Sequence, residues 1–225
     1  MALTPWNDDD PTDLKTIGAN SATLIAELRA TSMARTIPGV ADVLGWHSTL
    51  YAGCAVPVAG YVGHFRGDVT VPGLVGYEAA VGPVQRDGYP EKLGVWSQDV
   101  EMAVTAFLGQ LAHGVAQLDA AIPPGIRPTT VDQLHGVVRL TAVVHGEWVR
   151  IHPFANGNGR TARVWAAWIA LRYGLPIYVS LKPRPSDTAY AQVGKASMGR
   201  PPDFKGDHAL AINVFSYLLS LSLLP

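Results

Sequence analysis

The residues able to do chemistry are concentrated in one stretch, IHPFANGNGRTAR, at positions 151–163. His152 is the only side chain there that titrates near neutrality, which a base needs if it is to take a proton from a hydroxyl. Gly157 and Gly159 let the backbone come close to a ligand in conformations closed to other residues, so their N–H groups can converge on one cavity. A helix is expected to begin at that point, and its unpaired N–H groups and positive dipole end favour a phosphate. Arg160 and Arg163 are three apart, so both project from one face of the first turns. Their planar forks can each bond two phosphate oxygens, and together they can clamp a polyphosphate. Phe154 is read as a buried anchor for the loop. Taken singly, each residue has a plain structural explanation: a solvated histidine, a turn glycine, a surface arginine. The combination of base, glycine pair, helix start and paired arginines is what specifies an anion-handling site.

Two helices must hold this loop. Upstream, Thr130 or Asp132 can start VDQLHGVVRLTAVVHGEWV, in which Leu134, Val138, Thr141, Ala142 and His145 share one stripe. Downstream, GRTARVWAAWIALRYG reads as a helix with Gly174 at its C-terminal cap and Pro176 just beyond. A further helix is expected over residues 97–121, ended by Pro123 and Pro124, and another from Val40 to Tyr51, stopped by Gly53. Residues 1–18 read as polar and turn-rich, followed by a helix capped at Ser21 with Leu24, Leu28 and Ile25 on its apolar face. Residues 57–90 are rich in glycine and proline, and their β-like runs DVTVPGL and LVGYEAAV suit loops with a small hairpin. Helices over 187–198 and 209–221 complete an all-α bundle with one small β element. No internal repeat is visible.

Composition narrows the function classes. With 225 residues, 48% apolar and 16% charged, the chain can bury one sizeable core. A formal net charge of -1 gives no global reason to bind nucleic acid or an anionic membrane, so any anion site is local. Cys54 is the lone cysteine and cannot form an intrachain disulfide, which makes a reducing cytoplasm the expected location. The acidic N-terminus does not read as a secretion signal, and the apolar run SYLLSLSLLP is too short to span a bilayer. The seven histidines show no metal-ligand spacing.

The segment from His152 to Arg163 resembles the signature of Fic-domain proteins, HPFx(D/E)GNGRxxR. Upstream, LGWHSTLYAG and AGYVGHFRGDVTV are similar to the helix and the AG-x-(Y/F)-R segment that precede that signature. The resemblance covers about residues 40–219, which makes 40–225 a Fic domain and 1–39 an N-terminal extension with one helix. It implies an all-α Fic bundle with a β-hairpin flap that docks a target protein, and transfer of AMP from ATP, with Mg²⁺, to a Ser, Thr or Tyr hydroxyl. By position, His152 would be the base, Gly157, Asn158 and Gly159 the anion hole, and Arg160 and Arg163 the holders of the outer phosphates. Tyr190 falls where similar proteins have a residue near the adenine, although a core tyrosine is the simpler reading.

One departure stands out. The family's acidic residue at the metal position is Asn156 here, and a neutral amide should lower the affinity for Mg²⁺. That leaves open a transferase with another donor (UMP or phosphate), or a module that only binds nucleotide. The inhibitory string of related proteins, (S/T)xxxE(G/N), is matched at best by TLIAEL, with Leu28 out of pattern and Glu27 read as a solvated charge. A separate antitoxin-like inhibitor is therefore kept as an open partner.

Overall fold

The computed structural model describes residue 6, residues 10–186 and residues 188–223. Its first helix, α1 (Pro11–Met33), begins ten residues before Ser21. The expectation of a turn-rich segment up to residue 18 is corrected by the cap: the Asp10 carboxylate accepts the Thr12 N–H at 2.8 Å, and Pro11 brings a backbone angle already suited to a first turn. Ser21 lies inside the helix, where its hydroxyl donates to the Ile17 carbonyl. Ile17, Leu24 and Leu28 on one face are buried.

Helix α2 (Val40–Tyr51) follows, with the Asp42 carboxylate accepting the Gly39 N–H at its start. The next stretch makes two short 3-10 turns before a hairpin of β1 (Ala80–Val84) and β2 (Pro90–Leu93), which pair antiparallel with Ala80 opposite Leu93 and Val81 opposite Lys92. DVTVPGL forms no strand. Its amides turn back on the chain, Val71 N–H to Asp68 and Leu74 N–H to Val71, because Pro72 and the close approach of Gly73 to the Tyr61 ring suit a turn and not a ladder. Of LVGYEAAV, only the last two residues enter β1.

The remaining helices are α3 (Val100–Ala121), α4 (Val131–Ile151), α5 (Asn158–Arg172), α6 (Thr188–Ser197) and α7 (Ala209–Ser222). Asp187, expected to open α6, lies outside the described residues. Thr130 caps α4 by accepting the Gln133 N–H, while the Gln133 side chain accepts the Thr130 N–H in return. Val138, Thr141, Ala142 and His145 are all buried along α4. The architecture is a helical bundle with one two-stranded antiparallel hairpin.

The core centres on Trp148 of α4 and Trp165 of α5, whose rings lie 5.8 Å apart with Phe107 of α3 against both. Trp46 of α2 packs edge-on to Trp165 at 4.8 Å. The Trp148 indole donates to Thr161 Oγ1 at 2.7 Å, so α4 and α5 are joined by a buried hydrogen bond as well as by packing. That joint fixes the two ends between which the motif loop is strung. Among the described residues no helix is long and apolar enough to cross a membrane.

Candidate active site at the start of helix α5

His152 caps the C-terminus of α4 in the left-handed region, with φ 54 and ψ 56. A non-glycine residue in that conformation is held there by its surroundings. The holder is Arg66, fully buried, whose Nε donates to the His152 carbonyl at 2.7 Å and whose Nη2 donates to those of Ile151 and Val95. Its Nη1 reaches the Tyr77 carbonyl and Glu78. One guanidinium thus ties the end of α4 to the segments flanking the hairpin. Gly94, just past β2, lies so close that a Cβ there would meet the His152 Cβ at 2.6 Å.

The imidazole has a defined tautomer. Its Nδ1 lies 3.0 Å from the Val149 carbonyl, which can only accept, so Nδ1 carries the hydrogen and Nε2 is the basic nitrogen. Burial pushes its pKa down to about 4, helped by the charge on Arg66 and opposed by the bond to Val149. The residue type alone suggests a titration near neutrality. The structure keeps His152 neutral well below that.

The loop is stapled from inside. Phe154 is buried, stacked on the His47 ring at 3.8 Å, and Asn158 exchanges two hydrogen bonds with its backbone: Oδ1 accepts the Phe154 N–H and Nδ2 donates to the Phe154 carbonyl, both at 2.8 Å. The Asn158 side chain is therefore a loop clasp, and only its main chain faces the helix start. His47 accepts the Gly63 N–H at Nδ1, so its Nε2 carries the hydrogen and donates to the Asn156 carbonyl at 3.0 Å. Gly157 takes φ 82 as the residue before α5, and a Cβ there would strike Tyr51 at 2.7 Å. Only glycine fits both the backbone angle and the space.

Helix α5 opens with the main chain of Asn158, Gly159 and Arg160, whose amides lack intrahelical partners by geometry. Arg160 donates to the Tyr51 hydroxyl at 2.9 Å. Arg163 is buried, and its Nε donates to the Leu181 carbonyl at 3.1 Å. His152, Asn156, Gly157, Asn158, Gly159, Arg160 and Arg163 all line one cavity of about 340 Å³. These are the residues to which the family signature gives a role, and Tyr190 is not among those that line it.

Three further residues line the same cavity and were not singled out: Leu14 of α1, and Lys182 and Arg184 of the loop after α5. The basic, proline-interrupted string LKPRP after a strongly patterned helix was the signal for the last two. Tyr190 is elsewhere. It is buried, with its hydroxyl 3.1 Å from His145 Nε2 and its ring stacked on Phe215. Glu27 is exposed on α1.

Among the described residues, the donor set does not fit a magnesium ion. The Asn156 Oδ1 accepts the Gly157 N–H at 2.6 Å and its Nδ2 donates to the Trp6 carbonyl at 3.0 Å, so the amide is engaged at both ends. No carboxylate lines the cavity among the described residues, and no three His, Cys, Asp or Glu side chains converge among them. Mg²⁺ ordinarily rests on one or two carboxylates in addition to substrate phosphates.

Buried Arg66 bonded to the end of α4, a glycine-rich loop and two arginines in the first turns of α5 thus meet around the start of α5. The chain belongs to the Fic/DOC family, which it matches over residues 40–170. A structure of a Fic domain-containing signaling protein from Bacteroides thetaiotaomicron superposes with a TM-score of 0.64 at 18% identity, covering 92% of this chain and 69% of that one. The BepC protein of Bartonella tribocorum, a VirB-translocated effector solved with bound AMPPNP, superposes with a TM-score of 0.55 at 14% identity, covering 93% and 87%. At these identities the likeness is one of fold. No curated protein matches the chain.

Proposed function

We propose that this protein is a nucleotidyltransferase that moves AMP from ATP to a Ser, Thr or Tyr hydroxyl of a target protein. The observation that carries the reading is that the basic Nε2 of His152 and the arginine-flanked start of α5 belong to one cavity. In the proposed step, His152 Nε2 takes the hydroxyl proton, the hydroxyl oxygen bonds the α-phosphorus, and the bond from that phosphorus to the bridging oxygen breaks. Pyrophosphate leaves with its charge on Arg160 and Arg163. Positioning and charge stabilisation supply most of the acceleration in phosphoryl-type transfer. Membership of the Fic/DOC family supports a transferase of this kind.

The target would lie along β1, which is exposed throughout and has one strand partner only, so an extended segment can add to its edge. Arg66 joins that hairpin's base to His152, which supports the reading that a docked hydroxyl would lie near the base. A cytoplasmic location and a separate antitoxin-like inhibitor complete the reading.

A second reading keeps the transferase and changes the donor to one delivering UMP or phosphate. It is favoured by the position of Tyr190 in the core, since no Phe, Tyr or Trp side chain lines the cavity among the described residues to select adenine. Incubation of the purified protein and a cell lysate with α- and γ-labelled ATP and UTP separates these. Protein labelled from α-labelled ATP, and not by His152→Ala, supports AMP transfer. Labelling from the γ position alone, or from UTP alone, replaces it with the second reading.

A further inference from the structure

Trp6 lies outside the stretch matched to the family, which begins at residue 40, yet it is buried against the motif loop. Its carbonyl accepts from Asn156 Nδ2 at 3.0 Å, and its ring lies 4.6 Å from that of Tyr51 and edge-on to that of His47 at 6.1 Å. The indole N–H is buried and makes no hydrogen bond among the described residues, so the ring is held by packing. Further along the same segment, Asn20 of α1 donates to the carbonyls of Leu50 and Ala52, on either side of Tyr51. Tyr51, at the end of α2, is thus gripped twice by residues that precede the family match, once on its ring and once on its flanking backbone.

The ring of Tyr51 fills the space beside Gly157, where a Cβ would come within 2.7 Å of it. Its hydroxyl accepts from Arg160 Nη1 at 2.9 Å, with the guanidinium carbon 5.7 Å from the ring centroid. An arginine side chain has much rotamer freedom to lose when it meets a phosphate, and a partner that holds it beforehand spares part of that loss. Only a fixed tyrosine can do this. The slot that fixes the Tyr51 ring is walled by the Trp6 indole and by His47, whose ring centroid is 4.9 Å away.

We infer that Trp6 is a positioning residue of the phosphate site: it fixes Tyr51, and Tyr51 fixes the Arg160 guanidinium for the outer phosphates. This rests on the polyphosphate reading of the cavity. It makes the segment before residue 40 a working part of the site.

Calorimetry with the full chain tests it, using ATP and inorganic tripolyphosphate as probes. Trp6→Ala should weaken both probes about tenfold, and Tyr51→Phe, which keeps the ring and loses only the hydroxyl, should weaken them by a similar factor. Trp6→Phe keeps a ring against Tyr51 and should stay within about twofold of the wild type. In an Arg160→Ala background, Trp6→Ala should cost less than about twofold more, because the residue it acts through is gone. A Trp6 that merely supports the fold would cost the same factor in both backgrounds, and that additivity overturns the inference. So does wild-type affinity in Trp6→Ala, or a loss in Trp6→Phe as large as in Trp6→Ala. Should Trp6→Ala fail to fold, Tyr51→Phe decides, since wild-type affinity there breaks the route from Trp6 to Arg160. Tripolyphosphate bound without any binding of ATP has a different consequence: the nucleotide reading falls, and the same variants read with tripolyphosphate decide the role of Trp6. No binding of either probe by the wild type overturns both.

Discussion

Arg66 Nε donates to the carbonyl oxygen of His152 at 2.7 Å across 86 positions of sequence, so the left-handed cap that presents the base is held by a residue on another segment. The same guanidinium bonds Tyr77 and Val95, on either side of the hairpin. Burial lowers the Arg66 pKa to about 10, against the raising effect of Glu78, and it remains charged at neutral pH. Replacing it by alanine leaves several buried carbonyls unpaired and should cost about 3–5 kcal/mol of stability. Arg66→Lys keeps the charge but not the fork, and should lower kcat more than it raises KM, because the base is misplaced while the phosphate site is intact. Urea denaturation and steady-state kinetics on the two variants check this.

The pH profile should carry the mark of that environment. A free imidazole would give an acid limb near 6.5, whereas kcat/KM here should stay level down to about pH 5 and fall near pH 4. The bound polyphosphate adds negative charge beside His152 and raises its pKa, so the limb in kcat should lie above the limb in kcat/KM. A limb near 6.5 in both would show that His152 is not the group titrating.

Stability follows from the buried histidines with a definite sign. Burial pushes His145 down to about 3, helped by the charges of Arg163 and His208, and His152 down to about 4. In the unfolded chain both take a proton near 6.5. The stability they contribute is complete above 6.5 and is lost progressively as pH falls from there towards their folded values. The urea midpoint should therefore drop between pH 7 and pH 4. A His145→Gln variant, whose amide does not titrate, should show a shallower drop over the same range.

Much of this was legible in the chain because it is local. The helices flanking the motif show apolar periodicity, Thr130 is one of the two starts readable for α4, and the glycines of the loop announce a tight turn. What was missed is carried by distant partners. The early start of α1 rests on an Asp10–Pro11 cap that an acidic, proline-containing stretch disguises, and with it went Leu14 at the cavity wall. Lys182 and Arg184 reach the site because Arg163 bonds the Leu181 carbonyl, a contact 18 residues apart that no periodicity signals. The clasp of Asn158 on Phe154 was local, yet its side-chain role is not deducible from residue type, since an asparagine there could equally have faced an anion.

Arg160 is assigned to the outer phosphates, so its loss should discriminate between nucleotides. Arg160→Ala should weaken ATP about tenfold or more while leaving AMP nearly unchanged, because AMP lacks the groups it holds. Calorimetry with both nucleotides measures the difference. Equal losses would place Arg160 against the inner phosphate or in a purely structural role with Tyr51.

Asn156→Asp puts a carboxylate where the family pattern has one, and the surrounding contacts fix the sign of its effect. The new side chain can still accept the Gly157 N–H, but it has no hydrogen to offer the Trp6 carbonyl and sets an anion against it. That loss should cost about 1–3 kcal/mol of stability. In the cavity, the added charge partly neutralises cations that would otherwise face phosphate, so ATP in EDTA should bind about tenfold more weakly than to the wild type. Mg²⁺ should then restore affinity, since a carboxylate beside the phosphates makes the donor set a magnesium ion prefers. The variant should thus respond to Mg²⁺ more steeply than the wild type. A magnesium titration of both proteins at fixed ATP reads this directly. A wild type that responds to Mg²⁺ as steeply as Asn156→Asp would mean that the amide oxygen already serves as a ligand, and that the contact with Gly157 gives way when the ion arrives.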